Sequence, residues 1–181
     1  MDFKLVLQKL LTDFKEHDIR YALMGGFALG VWGVPRGTVD IDFLLHSDDM
    51  KKVDGIMDGL GYECRFKSEN VSQYISLQKV FGEVDFLHAF RVPSLSMLER
   101  AVEKRIFNGT VAIMVLKIED IIGFKVQAIA NNESRKAIDL PDIESLIAFN
   151  KDGINWDLIE EYFTLFEFND LFNELKRKLG R

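Results

Sequence analysis

Phe3, Leu5, Val6, Leu7, Leu10, Leu11 and Phe14 recur near helical period among charged residues. That spacing predicts an amphipathic helix over 2–17, with Asp2 placed to cap its first turn. Residues 20–24 predict a short strand whose apolar run, Tyr21-Ala22-Leu23-Met24, meets Gly25-Gly26, and a helix follows over 25–33. Residues 39–46 predict a strand, and a helix over 48–60 follows, with Ser47 as cap and Gly61 as stop. Residues 62–66 and 73–80 read as strands. A tight turn at Phe81-Gly82-Glu83 joins the second of them to a strand over 84–90. After Pro93, Ser94 is placed to cap a helix through 103. Asn108-Gly109 signals a hairpin. From Ile118 onward the period is helical, over 118–131, 134–150, 155–167 and 169–179. This order predicts an α/β (α+β) fold, a mixed sheet flanked by helices with a C-terminal helical region. The division falls softly near 93, with a core over 1–93 and a mainly helical region over 94–181 packed on it as one compact body.

The strand over 39–46 carries the chemistry. Asp40 and Asp42 interrupt an apolar run at a spacing of two, so they share one strand face, while Val39, Ile41 and Phe43 fill the other. Adjacent carboxylates repel, and a divalent cation held by oxygen ligands is the simplest neutraliser. Gly25-Gly26 lies between a strand and a helix start, where backbone N–H groups can approach a phosphate. No Gly-Lys-Ser/Thr follows, so this is not a Walker A loop.

Gly25-Gly26 followed by Arg36-x-Thr38-x-Asp40-x-Asp42 resembles the signature of the nucleotidyltransferase superfamily related to DNA polymerase beta. The paired-glycine form is similar to that of lincosamide and aminoglycoside nucleotidyltransferases and of abortive-infection type II toxin-like nucleotidyltransferases. The family expects a third carboxylate on a later strand, and Glu83-Val84-Asp85-Phe86-Leu87 supplies Asp85. A second stretch resembles the toxin-like group: Lys125 on a helix, then Arg135-Lys136, then Asp139-x-x-Asp142. The likeness covers roughly residues 20–150. It implies transfer of a nucleoside monophosphate from an NTP such as ATP to a hydroxyl, with release of pyrophosphate. Asp40, Asp42 and Asp85 would hold two Mg²⁺ ions, or Mn²⁺ in their place, about 3.5–4 Å apart. Asp85 would be the general base. Gly25, Gly26, Arg36, Thr38 and Lys125 would meet nucleotide or phosphate. The acceptor stays open between small molecule, protein and RNA, and the toxin likeness implies an antitoxin partner.

Each residue has a plainer reading. Asp40 and Asp42 could be solvated carboxylates of an edge strand, and Gly25-Gly26 a simple turn. Arg36 and Thr38 could shape the loop, and Lys125 could snorkel over apolar surface. Arg135, Lys136, Asp139 and Asp142 read as a salt-bridged helix surface. His17, His46 and His88 share no metal-ligand spacing. Two other activities compete with the transferase: a non-catalytic interaction module that keeps the fold, and a metal-dependent phosphohydrolase.

Composition narrows these readings. The 181 residues, 48% hydrophobic, suit a globular core rather than disorder. A net charge of −6 gives no overall basic field for nucleic acid. Cys64 is the single cysteine, which excludes an intrachain disulfide and fits a reducing cytoplasm. No apolar run reaches membrane-spanning length, and the acidic, amphipathic N-terminus makes a poor signal peptide.

Overall fold

A computed structural model describes residues 1–180. The chain divides into two units, one of Met1–Ala28 with Arg36–Leu116, the other of Leu29–Pro35 with the chain from Lys117 onward. Among the described residues there are seven strands in one mixed sheet and eight α-helices, the α/β architecture expected from the sequence. No helix among them is long and apolar enough to cross a membrane.

The first unit holds the sheet: β1 (Tyr21–Met24), β2 (Asp40–His46), β3 (Tyr62–Lys67), β4 (Val71–Ser76), β5 (Glu83–Ala89), β6 (Val102–Ile106) and β7 (Val111–Val115), in spatial order β3-β4-β5-β2-β1-β7-β6. β1 runs antiparallel to β2 and parallel to β7, and β2 runs parallel to β5. Its helices are α1 (Phe3–Glu16), the start of α2 (Gly25–Val31), α3 (Met50–Gly59) and α4 (Val92–Glu99). Helical spacing buries Val6, Leu7, Leu10 and Phe14 of α1. Phe14 meets Phe43 edge-on at 5.6 Å, and Phe43 stacks on Phe86 at 5.7 Å. Strand period therefore commits Ile41, Phe43, Val84 and Phe86 to the core face and leaves Asp40, Asp42 and Asp85 for the other.

Local chemistry sets several boundaries. Asp2 caps α1 by accepting from the Leu5 N–H at 3.0 Å, as its position predicts. Ser47 does not cap α3. A 3₁₀ turn over Ser47–Asp49 intervenes, and His46 Nδ1 accepts from the Asp48 N–H. Asp49 is drawn back against Arg20, which donates to it from its backbone N–H, Nε and a terminal nitrogen. Ser94 likewise donates to the Arg91 carbonyl inside the first turn of α4 rather than capping it. β4 stops at Ser76, short of the run to 80, and Leu77 beyond it is exposed. Val39 precedes β2 and is 80% exposed, so it does not join Ile41 and Phe43 on the buried face.

The second unit is helical: α5 (Ile118–Asn131), α6 (Lys136–Phe149), α7 (Trp156–Leu165) and α8 (Asn169–Leu179). The Tyr162 hydroxyl donates to Asp120 at 2.7 Å, and the ring lies where a Cβ at Gly123 would stand. Phe172 of α8 packs against Phe163 and Trp156.

Candidate active site

The parallel pairing of β2 and β5 sets Asp42 directly beside Asp85, with Asp40 beside Glu83 one step earlier. Neighbouring partners in a sheet share a face. Four carboxylates from two strands distant in sequence are thus brought onto one face.

The paired glycines belong to the same cluster. Gly25 has φ +66, and a Cβ there would collide with Asp42 Oδ2. Glycine is required at this point by the approach of a carboxylate as well as by the left-handed backbone. A Cβ at Gly26 would lie 2.8 Å from Thr38 Oγ1, with Arg36 Nε also close. Thr38 Oγ1 in turn donates to Asp40 Oδ1 at 2.6 Å. Gly25, Gly26, Arg36, Thr38, Asp40 and Asp42 therefore form one continuous arrangement, and β5 adds Asp85.

Asp85 is held above the usual carboxylate range. Burial is the largest cause, and a hydrogen bond from Gln73 Nε2 (2.9 Å) opposes it. Repulsion from Asp40 and Glu83 raises the proton affinity further. Gln73 is the site residue that sequence reasoning missed. It sits in an alternating strand, and only the β4–β5 register brings it beside Asp85.

Among the described residues no group of three or more His, Cys, Asp or Glu side chains is gathered closely enough to hold a metal ion. The donors nonetheless suit a hard divalent cation: the oxygens belong to carboxylates in register, Asp42 beside Asp85 and Asp40 beside Glu83.

Lys125 lies in the second unit. It is neither solvated nor snorkelling: its side chain is 12% exposed, and Nζ donates to Asp139 Oδ1 (2.8 Å) and Asp142 Oδ2 (2.6 Å). Arg135 Nε also donates to Asp139, which is fully buried. Lys125, Asp139 and Asp142 form a largely buried ion cluster, with the half-exposed Arg135 at its edge. Burial raises the proton affinity of Asp139, and the bonds from Arg135 and Lys125 more than reverse this, leaving it below the usual range. Of the histidines, His88 is enclosed between Ser72 Oγ and the Glu69 carbonyl, a structural position.

Comparison with known proteins bears on the family and the fold. The family model described as nucleotidyl transferase AbiEii toxin, type IV TA system, matches residues 9–178. Over 103 residues, half of this chain, the sequence is 35% identical to the CCA-adding enzyme of Methanothermobacter thermautotrophicus, and the match spans 22% of that enzyme's length. The fold matches the solution structure of the antibiotic-resistance factor ANT(2'')-Ia, with 16% identity, 98% of each chain covered and a TM-score of 0.66. An antigenic nucleotidyltransferase-like protein from Paracoccidioides brasiliensis matches with 21% identity over 97% of this chain and 92% of that one, TM-score 0.59. The lincosamide antibiotic adenylyltransferase LnuA, bound to lincomycin, matches with 15% identity over 81% and 98%, TM-score 0.56.

Proposed function

The chain belongs to the AbiEii nucleotidyl transferase family, and from that premise we propose that it moves a nucleoside monophosphate from an NTP, ATP among the candidates, to an acceptor hydroxyl at the carboxylate face of its sheet. The observation that carries this reading is the register of Asp42 beside Asp85, with Gly25 cleared for the Asp42 carboxylate. Asp40, Asp42 and Asp85 are the residues that would hold Mg²⁺, or Mn²⁺ in its place, and a bound divalent ion would neutralise carboxylate and triphosphate charge.

The chain's own groups account for the remaining parts. Gly25 and Gly26 offer backbone without Cβ atoms to the triphosphate, and Arg36 supplies positive charge beside them. Thr38 fixes the rotamer of Asp40 through its hydroxyl. Gln73 holds one oxygen of Asp85 and leaves the other for the acceptor. Asp85, with its elevated proton affinity, takes the acceptor's proton. The acceptor oxygen bonds to the α-phosphorus, the bond from that phosphorus to the bridging oxygen breaks, and pyrophosphate leaves. Lys125 is assigned to nucleotide binding on the sequence likeness alone. The family's description as a type IV toxin supports a toxin role with a cognate antitoxin.

Pyrophosphate release from each of the four NTPs with Mg²⁺, measured on wild type and Asp85→Asn, tests the proposal. Release accompanied by transfer of the labelled monophosphate, reduced roughly a hundredfold or more in the variant, supports it. Nucleotide consumption without labelled acceptor would point instead to a phosphohydrolase.

A further inference from the structure

α6 carries apolar residues on every side. Ile143, Leu146 and Ile147 are buried, and Asp139 and Asp142 beside them meet Lys125. The opposite side is uncharged as well. Ala137, Ala148, Pro141, Ser145, Ile138 and Phe149 follow one another around about 120° of the helix surface with no charge among them. Ile138 is 52% exposed and Phe149 61%. Ala137, Pro141 and Ala148 are exposed too. A surface helix ordinarily turns charged and polar residues toward water. Here the outer side offers a single hydroxyl, Ser145, and that one donates to the Pro141 carbonyl at 2.8 Å.

Charge is confined to the two ends. Glu133 and Lys136 stand at the start of α6, and Lys151 and Asp152 lie just past its last residue. All four are exposed, and among the described residues none has an ion-pair partner within the chain. Arg135, between the first two, is committed to Asp139. Each end therefore presents one acid and one base open to an outside partner.

A second α6 laid antiparallel, with the two-fold axis level with residue 143, matches this pattern. Ala137 comes opposite Phe149 of the second copy, Ile138 opposite Ala148, and Pro141 opposite Ser145. Each large side chain meets a small one, and every contact is made twice. The start of one helix reaches the end of the other, so Glu133 and Lys136 face Lys151 and Asp152, two charges of each sign. Opposite ends of the two helix dipoles also come together. A parallel pair would set Phe149 against Phe149 and like ends against like.

We propose that the outer side of α6 is a self-association surface whose partner is a second copy of this chain, bound antiparallel through Ile138 and Phe149. One helix pair makes a small interface, of the class that associates on the order of micromolar concentration. The proposal does not depend on the transferase reading.

Sedimentation velocity of the full chain, from about 1 to 100 µM, tests it. The expected result is monomer–dimer exchange with a midpoint inside that range. Ile138→Asp and Phe149→Asp each leave a monomer throughout, with the melting temperature of the dilute protein unchanged because both side chains already face water. Ala137→Arg does the same by crowding the face without removing an apolar side chain. Asp152→Lys raises the dissociation constant roughly two- to thirtyfold, the range of two symmetry-related exposed ion pairs, and adding Lys136→Asp restores it. A monomer at every concentration, a dimer that survives the aspartate and arginine variants, or a dimer indifferent to Asp152→Lys overturns the proposal.

Discussion

Gly25 is the residue on which the site geometry turns. Its backbone is left-handed, and a Cβ would occupy the space of Asp42 Oδ2. Gly25→Ala is expected to cost about 1–2 kcal/mol from the backbone alone and to displace the carboxylate as well. Thermal unfolding should show the first effect, and loss of NTP-dependent stabilisation the second. Gln73→Leu removes the donor to Asp85. Losing a hydrogen bond to a charged group, about 1.5–3 kcal/mol, predicts a fall in transfer rate of roughly ten- to a hundredfold with the fold intact by circular dichroism. A rate equal to wild type would show that Asp85 is positioned without Gln73. The local members of the site were legible because their spacing lies within one short stretch: Gly25-Gly26, Arg36, Thr38, Asp40 and Asp42. Gln73 was not, since nothing in Val71-Ser72-Gln73-Tyr74 states which strand will lie beside it.

Among the elements, strand and helix identities followed from period, while caps were decided by tertiary partners. Asp2 caps α1 as expected, its carboxylate accepting from the Leu5 N–H. Asp49 is claimed by Arg20 twenty-nine residues earlier, and the start of α3 shifts accordingly. The helical pattern of 118–150 predicted α5 and α6 but gave no sign that their charges meet in a buried cluster. Asp139 there carries a pH dependence. Its proton affinity is lowered in the folded chain, so its contribution to stability is complete above the ordinary carboxylate pKa and disappears as pH falls through the lower folded value. Asp139→Asn should therefore flatten the acid limb of a plot of melting temperature against pH. An acid limb identical to wild type would locate the sensitivity elsewhere. Lys125→Met leaves Asp139 and Asp142 with one cation fewer, and about 3–5 kcal/mol of stability should be lost. If Lys125 also binds nucleotide, the NTP-induced shift falls too; a preserved shift would confine the lysine to the ion cluster.

At the scale of the whole molecule, β2 is flanked by β1 and β5, and the sheet order joins strands far apart in the chain. Leu23 pairs with Val115 across more than ninety residues, a neighbour relation that no local pattern encodes. The α/β class was readable because strand and helix periods alternate along the first half. The convergence of Asp85 on Asp42 was readable only as an expectation from family likeness; the β2–β5 register sets the two residues side by side. Whether that adjacency binds a metal–triphosphate is decided by melting temperatures of wild type and Asp42→Asn, each with Mg²⁺ and each of the four NTPs. Binding to the native state at a hundredfold excess over Kd stabilises by about 2.7 kcal/mol. A clear upward shift in wild type that requires Mg²⁺, names a preferred base and vanishes in Asp42→Asn is the predicted result. No shift with any nucleotide, in well-folded wild-type protein, would contradict the site and leave the chain as an interaction module on a nucleotidyltransferase fold.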